Sequence, residues 1–305
     1  MPAINFIASY NMAKIMQLTI YLVDVDEYTG QITPNKIIDC IKKNNLKNIK
    51  ALIVMYQGGF PEDLKSFYEL KKKYNFAIIE DACHALGAEY KHMNKFLKVG
   101  SCKHSDICTF SMHPLKTITS GEGGIITTNN KKIAKNIRLF RNHGILRNKK
   151  KYWNYDILKH GFNYRLSDIN CALGMSQLKK INFFIKKRKK IYQKYLSEFE
   201  NFNPNLILPR YSKNIRSSNH LFIINIMFDK IKKNKDNFIK YLNFNKIMAQ
   251  QHYIPIYKFK IFNKKSLRYS GTERYFKNAV SIPIFVNLNT QDQNKIIKII
   301  KNYFL

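Results

Sequence analysis

The alternation of apolar strands with amphipathic helices in the first half of the chain constrains the fold more than any other feature. Residues 49–56 (IKALIVMY) form an apolar stretch, and residues 76–79 form another. Between them, residues 62–74 place Leu64 and Phe67 near one helical face. A strand, a helix and a second strand in this order are typical of a βαβ unit, which requires parallel strands. We therefore predict an α/β fold with a mostly parallel sheet.

The alternation continues and is followed by a long helical pattern. We predict further strands at 107–112 and 124–128, and a helix at 131–142 that Gly144 closes in a left-handed conformation. From Ser167, a candidate N-cap, helical periodicity runs for about thirty residues. A helix of this length is suited to linking two domains.

The length of 305 residues corresponds to about two domains of roughly 150 residues each. We predict a large domain over 1–200, which ends in a linking helix at about 168–198, and a smaller α+β domain over 201–305. For the second domain we expect a strand at 220–228, a helix near 235–242, a strand ending at His252 and Tyr253, and a terminal helix from Gln291.

The formal net charge of +33 suggests a nucleic-acid partner, but the distribution of the charges favours another interpretation. Only nine of the 53 basic residues are Arg, and the Lys runs are spread along the whole chain instead of forming one basic face. Solvated helix faces explain such a pattern, so we expect no nucleic-acid partner and only a mild attraction for anionic substrates.

Composition also argues against several other classes of protein. The five cysteines form no C-x-x-C pair and no H-E-x-x-H motif occurs, so neither a disulfide framework nor a protein-held metal is expected. The sequence shows no apolar run of about 18 residues and no signal-peptide pattern at its start. We therefore expect a cytoplasmic protein without a membrane partner.

Two strand exits carry the candidate chemistry, because ligands of open α/β sheets gather at the carboxyl ends of strands. The first exit runs from an apolar stretch directly into Asp81, which either caps a helix or serves a site. The second leads to Lys116, which stands among hydroxyl residues and glycines and not among other charges. Partial desolvation there would lower the pKa of its amine and suit imine chemistry. A phosphate-binding P-loop is the rival interpretation, but the glycine spacing does not match it.

Six blocks, taken together and in order, resemble the DegT/DnrJ/EryC1/StrS family of pyridoxal-phosphate-dependent nucleotide-sugar aminotransferases. The blocks are IIEDACHALGAEY, VGS, DICTFSMHPLKTITSGEGGIITTNN, RNHGI, GFNYRLSDINCALGMSQLKKI and QQHYIPIY. The resemblance implies an aspartate-aminotransferase-like (fold type I) large domain with a smaller α+β domain. It also implies transfer of an amino group, from L-glutamate, to C4 of a UDP-linked 4-keto-6-deoxy-N-acetylhexosamine on the route to pseudaminic acid.

The same resemblance implies roles for individual residues. Lys116 would bond covalently to the cofactor and move the proton, and Asp81 would pair with the pyridinium nitrogen. His84 and Phe6 would lie against the two faces of the cofactor ring, and Ser111 would bind its phosphate. The retained Lys at position 116 favours transamination, because family members that dehydrate sugars carry His there.

Asn163 would reach the cofactor phosphate of a partner subunit, so the resemblance also implies a homodimer with shared sites. His220, His252 and Tyr253 fall in stretches that help line the sugar-nucleotide site of family members. For each histidine taken singly, a solvated or structural role is the favoured interpretation.

Family members begin with a further segment that includes a Gly-Thr loop, which donates hydrogen bonds to the cofactor phosphate. The present sequence begins where the family already has its second strand region. Without those donors we expect weaker cofactor binding than in a longer relative. The alternative to an active enzyme is an inactive or split-gene remnant that acts as an interaction partner.

Overall fold

The computed structural model describes residues 1–148, 150–151, 153–262 and 269–305. The helices are α1 (Ala8–Ile15), α2 (Pro34–Lys43), α3 (Leu64–Tyr74), α4 (Lys131–Arg141), α5 (Asp168–Lys179), α6 (Ile181–Phe199), α7 (Lys235–Phe244), α8 (Ser270–Asn278) and α9 (Thr290–Asn302). The strands are β1 (Ala51–Met55), β2 (Ala77–Asp81), β3 (Glu89–His92), β4 (Lys95–Lys98), β5 (Ile107–Ser111), β6 (Gly124–Thr127), β7 (Ile145–Arg147), β8 (Tyr155–Ile157), β9 (Leu206–Ile207), β10 (Ile215–Arg216), β11 (Phe222–Ile226) and β12 (Ala279–Ile282).

A four-stranded sheet in the order β1-β2-β5-β6 forms the centre of the first half. The first three strands are parallel, and β6 returns antiparallel to β5. Helix α3 buries Leu64, Phe67 and Leu70 while connecting β1 to β2, which is the crossover that the apolar spacing predicts. The alternation of strands and helices in the sequence therefore predicts the sheet correctly, and with it the position of the polar residues at the carboxyl edge of the sheet.

Strand β11 connects this core to a second one. Its neighbours are β12 and β9, both antiparallel, and all five of its residues are buried. Because side chains alternate along a strand, Ile223 packs into the first core, whereas Phe222 and Ile224 pack into the second. The second core also takes apolar side chains from α6, α7 and α9. The division into domains at residue 200 stays a prediction.

The helical pattern that we expected to run unbroken over 168–198 is two helices, α5 and α6, which meet at Lys180. No residue of α5 is buried, whereas α6 buries five residues, including Tyr195 and Phe199. Helix α5 is not buried, whereas α6 packs into the second core, so the two helices meet different surroundings. Ser167 caps α5 as predicted, since its side chain accepts a hydrogen bond from the backbone N–H of Asn170.

The strand that we expected to end at His252 and Tyr253 is not formed. Only Gln250 pairs there, through a bridge to Ser281, and the chain then continues as a loop.

Gly144 has the predicted left-handed conformation, with a φ of +73°. A Cβ at this position would lie 1.7 Å from the carbonyl oxygen of Lys159, so the close approach also requires glycine.

Candidate active site at the carboxyl edge of the sheet

The predicted site residues of the two strand exits lie at one edge of the first sheet. Met55, Asp81 and Thr109 are register partners across β1, β2 and β5. The three parallel strands therefore end side by side, which brings the residues that follow them together. The loop that carries Lys116 connects β5 to β6 at the same edge.

Asp81 is the last residue of β2 and is 9% exposed. Its carboxylate accepts a hydrogen bond from the Ser9 hydroxyl at 3.2 Å through Oδ2 and one from the backbone N–H of Cys83 at 3.4 Å through Oδ1. No helix begins after it, so the helix-cap interpretation is wrong. The carboxylate ends a buried strand and remains available to a cationic group at the sheet edge.

Lys116 is half-buried, and its amine lies within electrostatic range of the Asp81 carboxylate. Burial lowers the pKa of its amine below the usual 10.5, and the nearby Cys83 and Asp81 partly oppose that shift. The loop around it is held by internal hydrogen bonds, such as those from the Thr119 hydroxyl and the Ser120 N–H to the carbonyl of Met112. A fixed amine with a lowered pKa is suited to nucleophilic and acid-base chemistry.

His84 lies at the centre of a cluster of aromatic side chains. Its ring centroid is 4.3 Å from that of His220, and its Nε2 is 2.9 Å from the hydroxyl of Tyr253. The Nδ1 atoms of His84 and His220 are buried without a hydrogen-bond partner. A buried polar atom of this kind is costly, and a bound ligand would offer it a partner.

The three histidines of the cluster all have lowered pKa values. Burial is the main cause for His84, His220 and His252, and the positive charge of Lys116 adds to it in each case. The pKa of His252 falls to about 4. At neutral pH these three side chains are therefore uncharged.

His252 and Tyr253 come from the far end of the chain and are held against the first sheet. The carbonyl oxygen of His252 accepts hydrogen bonds from Gln57 Nε2 at 2.7 Å and from the Tyr275 hydroxyl at 2.9 Å. His252 Nδ1 is 2.9 Å from the hydroxyl of Ser281. These contacts fix the loop that replaces the expected strand.

The remaining predicted residues differ in their surroundings. Phe6 is 56% exposed, and its ring centroid is 5.9 Å from that of Tyr253, so it joins the cluster around His84. Ser111 ends β5, and its hydroxyl accepts a hydrogen bond from the backbone N–H of His113. Asn163 is exposed, pairs through its backbone with Asn142, and takes no part in the contacts around His84.

Sequence reasoning missed three residues that shape this site: Ser9, Gln57 and Tyr275. Gln57 is fully buried directly after β1, so a search of every strand exit would have found it. Nothing in the local sequence marks Ser9 or Tyr275.

Within the residues that the structure describes, no group of three or more His, Cys, Asp or Glu is arranged to hold a metal ion. No helix in this same part of the chain is long and apolar enough to cross a membrane.

Comparison with known proteins gives a consistent result. Residues 1–301 match the model of the DegT/DnrJ/EryC1/StrS aminotransferase family. A UDP-4-amino-4,6-dideoxy-N-acetyl-beta-L-altrosamine transaminase of Campylobacter jejuni is 36% identical over 293 residues, which cover 95% of this chain and 74% of that protein. The transaminase of the same name from Helicobacter pylori is 32% identical over 299 residues, or 96% of this chain and 75% of that protein.

Solved structures agree with the sequence matches. Helicobacter pylori PseC, an aminotransferase involved in the biosynthesis of pseudoaminic acid, superposes with a TM-score of 0.88 at 28% identity, covering 99% of this chain and 78% of that one. The PLP form of the putative sugar aminotransferase Spr1654 from Streptococcus pneumoniae gives 0.86 at 22% identity, covering 100% and 80%. These superpositions confirm the predicted α/β, fold-type-I architecture. The chain therefore belongs to the DegT/DnrJ/EryC1/StrS aminotransferase family and is a pyridoxal-phosphate-dependent sugar aminotransferase.

Proposed function

We propose that this chain transfers an amino group from L-glutamate to C4 of a UDP-linked 4-keto-6-deoxy-N-acetylhexosamine, a step on the route to pseudaminic acid. Relatives at 36% and 32% identity carry the name of a transaminase for the corresponding 4-amino sugar. The solved structure from Helicobacter pylori at 28% identity belongs to that biosynthesis. The observation that carries the chemical part of the proposal is that the half-buried Lys116 and the carboxylate of Asp81 lie at the same sheet edge, within electrostatic range of each other.

The residues at the sheet edge fit pyridoxal phosphate. The cofactor needs an amine for its aldehyde, an anion for its pyridine nitrogen and flat apolar contacts for its ring. Lys116 supplies the amine and Asp81 the anion, while His84 and Phe6 flank a common neighbour, Tyr253. Ser111 at the end of β5 offers a hydroxyl to the phosphate.

When bound, the cofactor supplies an electron sink for the negative charge that develops on the carbon next to the transferred nitrogen. Lys116 Nζ accepts the proton from that carbon and later returns it. Its lowered pKa favours the neutral amine that this role requires. The Asp81 carboxylate would accept a hydrogen bond from the pyridine nitrogen and so favour the protonated form of that ring.

The neutral histidines define the substrate side of the site. His220 and His252 contribute uncharged imidazoles, which can exchange hydrogen bonds with sugar hydroxyl or amide groups without competing with Lys116 for Asp81. Tyr253 orients His84 through its hydroxyl. This arrangement favours a polar, uncharged sugar ring over a second anionic group near the amine.

We further propose a homodimer in which Asn163 serves the site of the partner subunit. Asn163 stands between Phe162 and Tyr164, whose rings stack with centroids 5.1 Å apart and are 51% and 60% exposed. Phe140 adds a third exposed ring, 5.1 Å from that of Phe162. We call Phe140, Phe162 and Tyr164 the aromatic patch. Clustered exposed rings are typical of protein interfaces, and α5 adds the exposed Ile169.

The test combines product analysis with chemical trapping. The chain, loaded with pyridoxal phosphate, is incubated with L-glutamate and the UDP-linked 4-keto sugar, and we expect 2-oxoglutarate and the 4-amino sugar by mass spectrometry. UDP-N-acetylglucosamine, which has no keto group, is the matched control substrate. Borohydride reduction followed by peptide mapping should place the cofactor on Lys116. A reduced adduct on another lysine, or no amination of the keto sugar, contradicts the proposal.

A further inference from the structure

The segment before α1 delivers Ser9 to the carboxylate of Asp81. Its backbone is tied into the structure on two sides, because the Ala3 N–H donates to the Val23 carbonyl and the Ala3 carbonyl accepts from the Ile256 N–H, each at 2.9 Å. Ser9 lies in the first turn of α1, and its hydroxyl is 3.2 Å from Asp81 Oδ2. A contact between residues 72 positions apart is thus held by a fixed stretch of backbone.

The hydroxyl and the backbone divide the two carboxylate oxygens between them. Ser9 donates to Oδ2, and the N–H of Cys83 donates to Oδ1, so neither oxygen can rotate away without losing a donor. An ionised carboxylate offers about four acceptor sites, and these two contacts leave room for a further N–H donor. The carboxylate is therefore oriented before any ligand arrives.

The position of Ser9 in the helix adds a second electrostatic effect. The N-cap of α1 is Ile7, which provides no side-chain hydrogen bond to the first turn. The free N–H groups of that turn give the helix start a partial positive charge, and Ser9 brings Asp81 to this turn. The start of the helix and the Ser9 hydroxyl therefore act on the same carboxylate.

We propose that Ser9 is a positioning residue that holds the Asp81 carboxylate oriented for the pyridinium nitrogen of the cofactor. The inference rests on the proposed function of Asp81. Phe6, three residues earlier, reaches Tyr253 from the same segment, so one stretch of backbone sets both a ring contact and the anion. A serine with a purely structural role in α1 would affect folding but not the bound cofactor.

The experiment compares Ser9→Ala, Ser9→Thr and Ser270→Ala with the parent chain. Ser270 lies exposed in the first turn of α8 and is the matched control. We expect Ser9→Ala to bind pyridoxal phosphate about five- to tenfold more weakly, in line with the loss of one hydrogen bond, and to change the pH dependence of the bound cofactor's absorption spectrum. Ser9→Thr, which keeps the hydroxyl, restores both properties. Parental affinity and spectrum in Ser9→Ala, or no restoration by Ser9→Thr, overturn the inference.

A measurement without cofactor separates this inference from the proposed function. In the cofactor-free chain, the ¹³C resonance of the Asp81 carboxyl should shift in Ser9→Ala and stay unchanged in Ser270→Ala. An unchanged resonance in Ser9→Ala overturns the positioning role even if the parent chain binds no cofactor. A shifted resonance together with failed trapping at Lys116 refutes the function of the site but leaves the contact in place. Melting temperatures of the variants show whether each is folded.

Discussion

The two sides of the candidate site differ in how completely one chain builds them. On one side, Asp81, His84 and His220 are at most 9% exposed and are held by residues from both ends of the chain. We call this the buried wall, together with His252 and Tyr253. On the other side, Phe6, which contacts Tyr253, and Leu115, which precedes Lys116, are more than half exposed. The buried wall is preformed within one chain, whereas the exposed side would be covered only in the homodimer proposed above.

The largest expected effect comes from the amine that faces the buried wall. Lys116→Ala removes both the covalent attachment point and the proton carrier, so we expect amination to fall at least about a thousandfold. Borohydride treatment should then leave no cofactor on the chain. Lys95→Ala, on the exposed surface of β4, should retain parental activity. Trapped cofactor in Lys116→Ala would assign the attachment to another lysine.

Asp81→Asn tests the buried wall without removing the attachment. The amide keeps the size of the side chain but not its charge, so the pyridine nitrogen loses its anionic partner. We expect borohydride-trappable cofactor on Lys116 with turnover lower by about a hundredfold, the scale of a broken buried charge pair. Turnover and trapping are measured on the same preparation. Parental turnover would show that another group supplies the negative charge.

The sequence pattern predicted some residues of the buried wall but not others. The difference lies in how far apart in the sequence the contacting residues are. Asp81 and Lys116 follow strands, and strand alternation is a local signal that places them at one sheet edge. The contact of Tyr253 with His84 joins residues 169 positions apart and depends on how a loop packs against Gln57. Local periodicity carries no information about such packing, so these positions came from family resemblance alone.

Because local periodicity does not report tertiary packing, the sequence also mispredicted two elements, the long helix over 168–198 and the strand that ends at His252 and Tyr253. The helical periodicity over 168–198 predicts helix throughout, and both halves do form helix. The change at Lys180 depends on which surface each half packs against. The expected strand before Tyr253 has β-forming residues, yet its hydrogen bonds go to Gln57, Tyr275 and Ser281. Tertiary contacts override local propensity in both cases.

Asn163 provides the test of the exposed side. Asn163→Ala should weaken cofactor binding by about tenfold or more, because a hydrogen bond to the phosphate dianion is lost. When Lys116→Ala and Asn163→Ala chains are mixed and exchange freely, half of the dimers are mixed. One of the two sites in each mixed dimer then contains neither change. At a cofactor concentration too low to load the Asn163→Ala chain, about a quarter of the parental activity should therefore return.

The control for this mixture is the Lys116→Ala/Asn163→Ala double variant combined with Lys116→Ala. None of its dimers contains an intact site, so no recovery is expected. Subunit exchange is verified by native mass spectrometry with one chain labelled. If the subunits exchange and the parent is active, but the mixture of single variants recovers no activity, then Asn163 serves the site of its own chain or no site at all.

The smallest expected effect concerns the uncharged histidines of the buried wall. His252 has a folded-state pKa of about 4, below its usual 6.5, because of burial and the charge of Lys116. Between these two values the unfolded chain binds a proton that the folded chain excludes. The free energy of unfolding therefore falls as the pH drops from 6.5 towards 4, by up to about 1.4 kcal/mol per pH unit for this histidine. His84 and His220, whose pKa values are also lowered, add to the same slope.

Urea unfolding of the cofactor-free chain at several pH values within this window measures the slope. His252→Gln cannot take up a proton in either state, so it should flatten the slope by up to about 1.4 kcal/mol per pH unit. His160→Gln changes an exposed histidine outside the buried wall and should leave the slope as it is. An equal flattening by both variants would place the pH sensitivity outside the buried wall. A slope that His252→Gln leaves unchanged would mean that the folded chain protonates His252 as readily as the unfolded chain does. Burial in the wall would then not exclude the proton from this histidine.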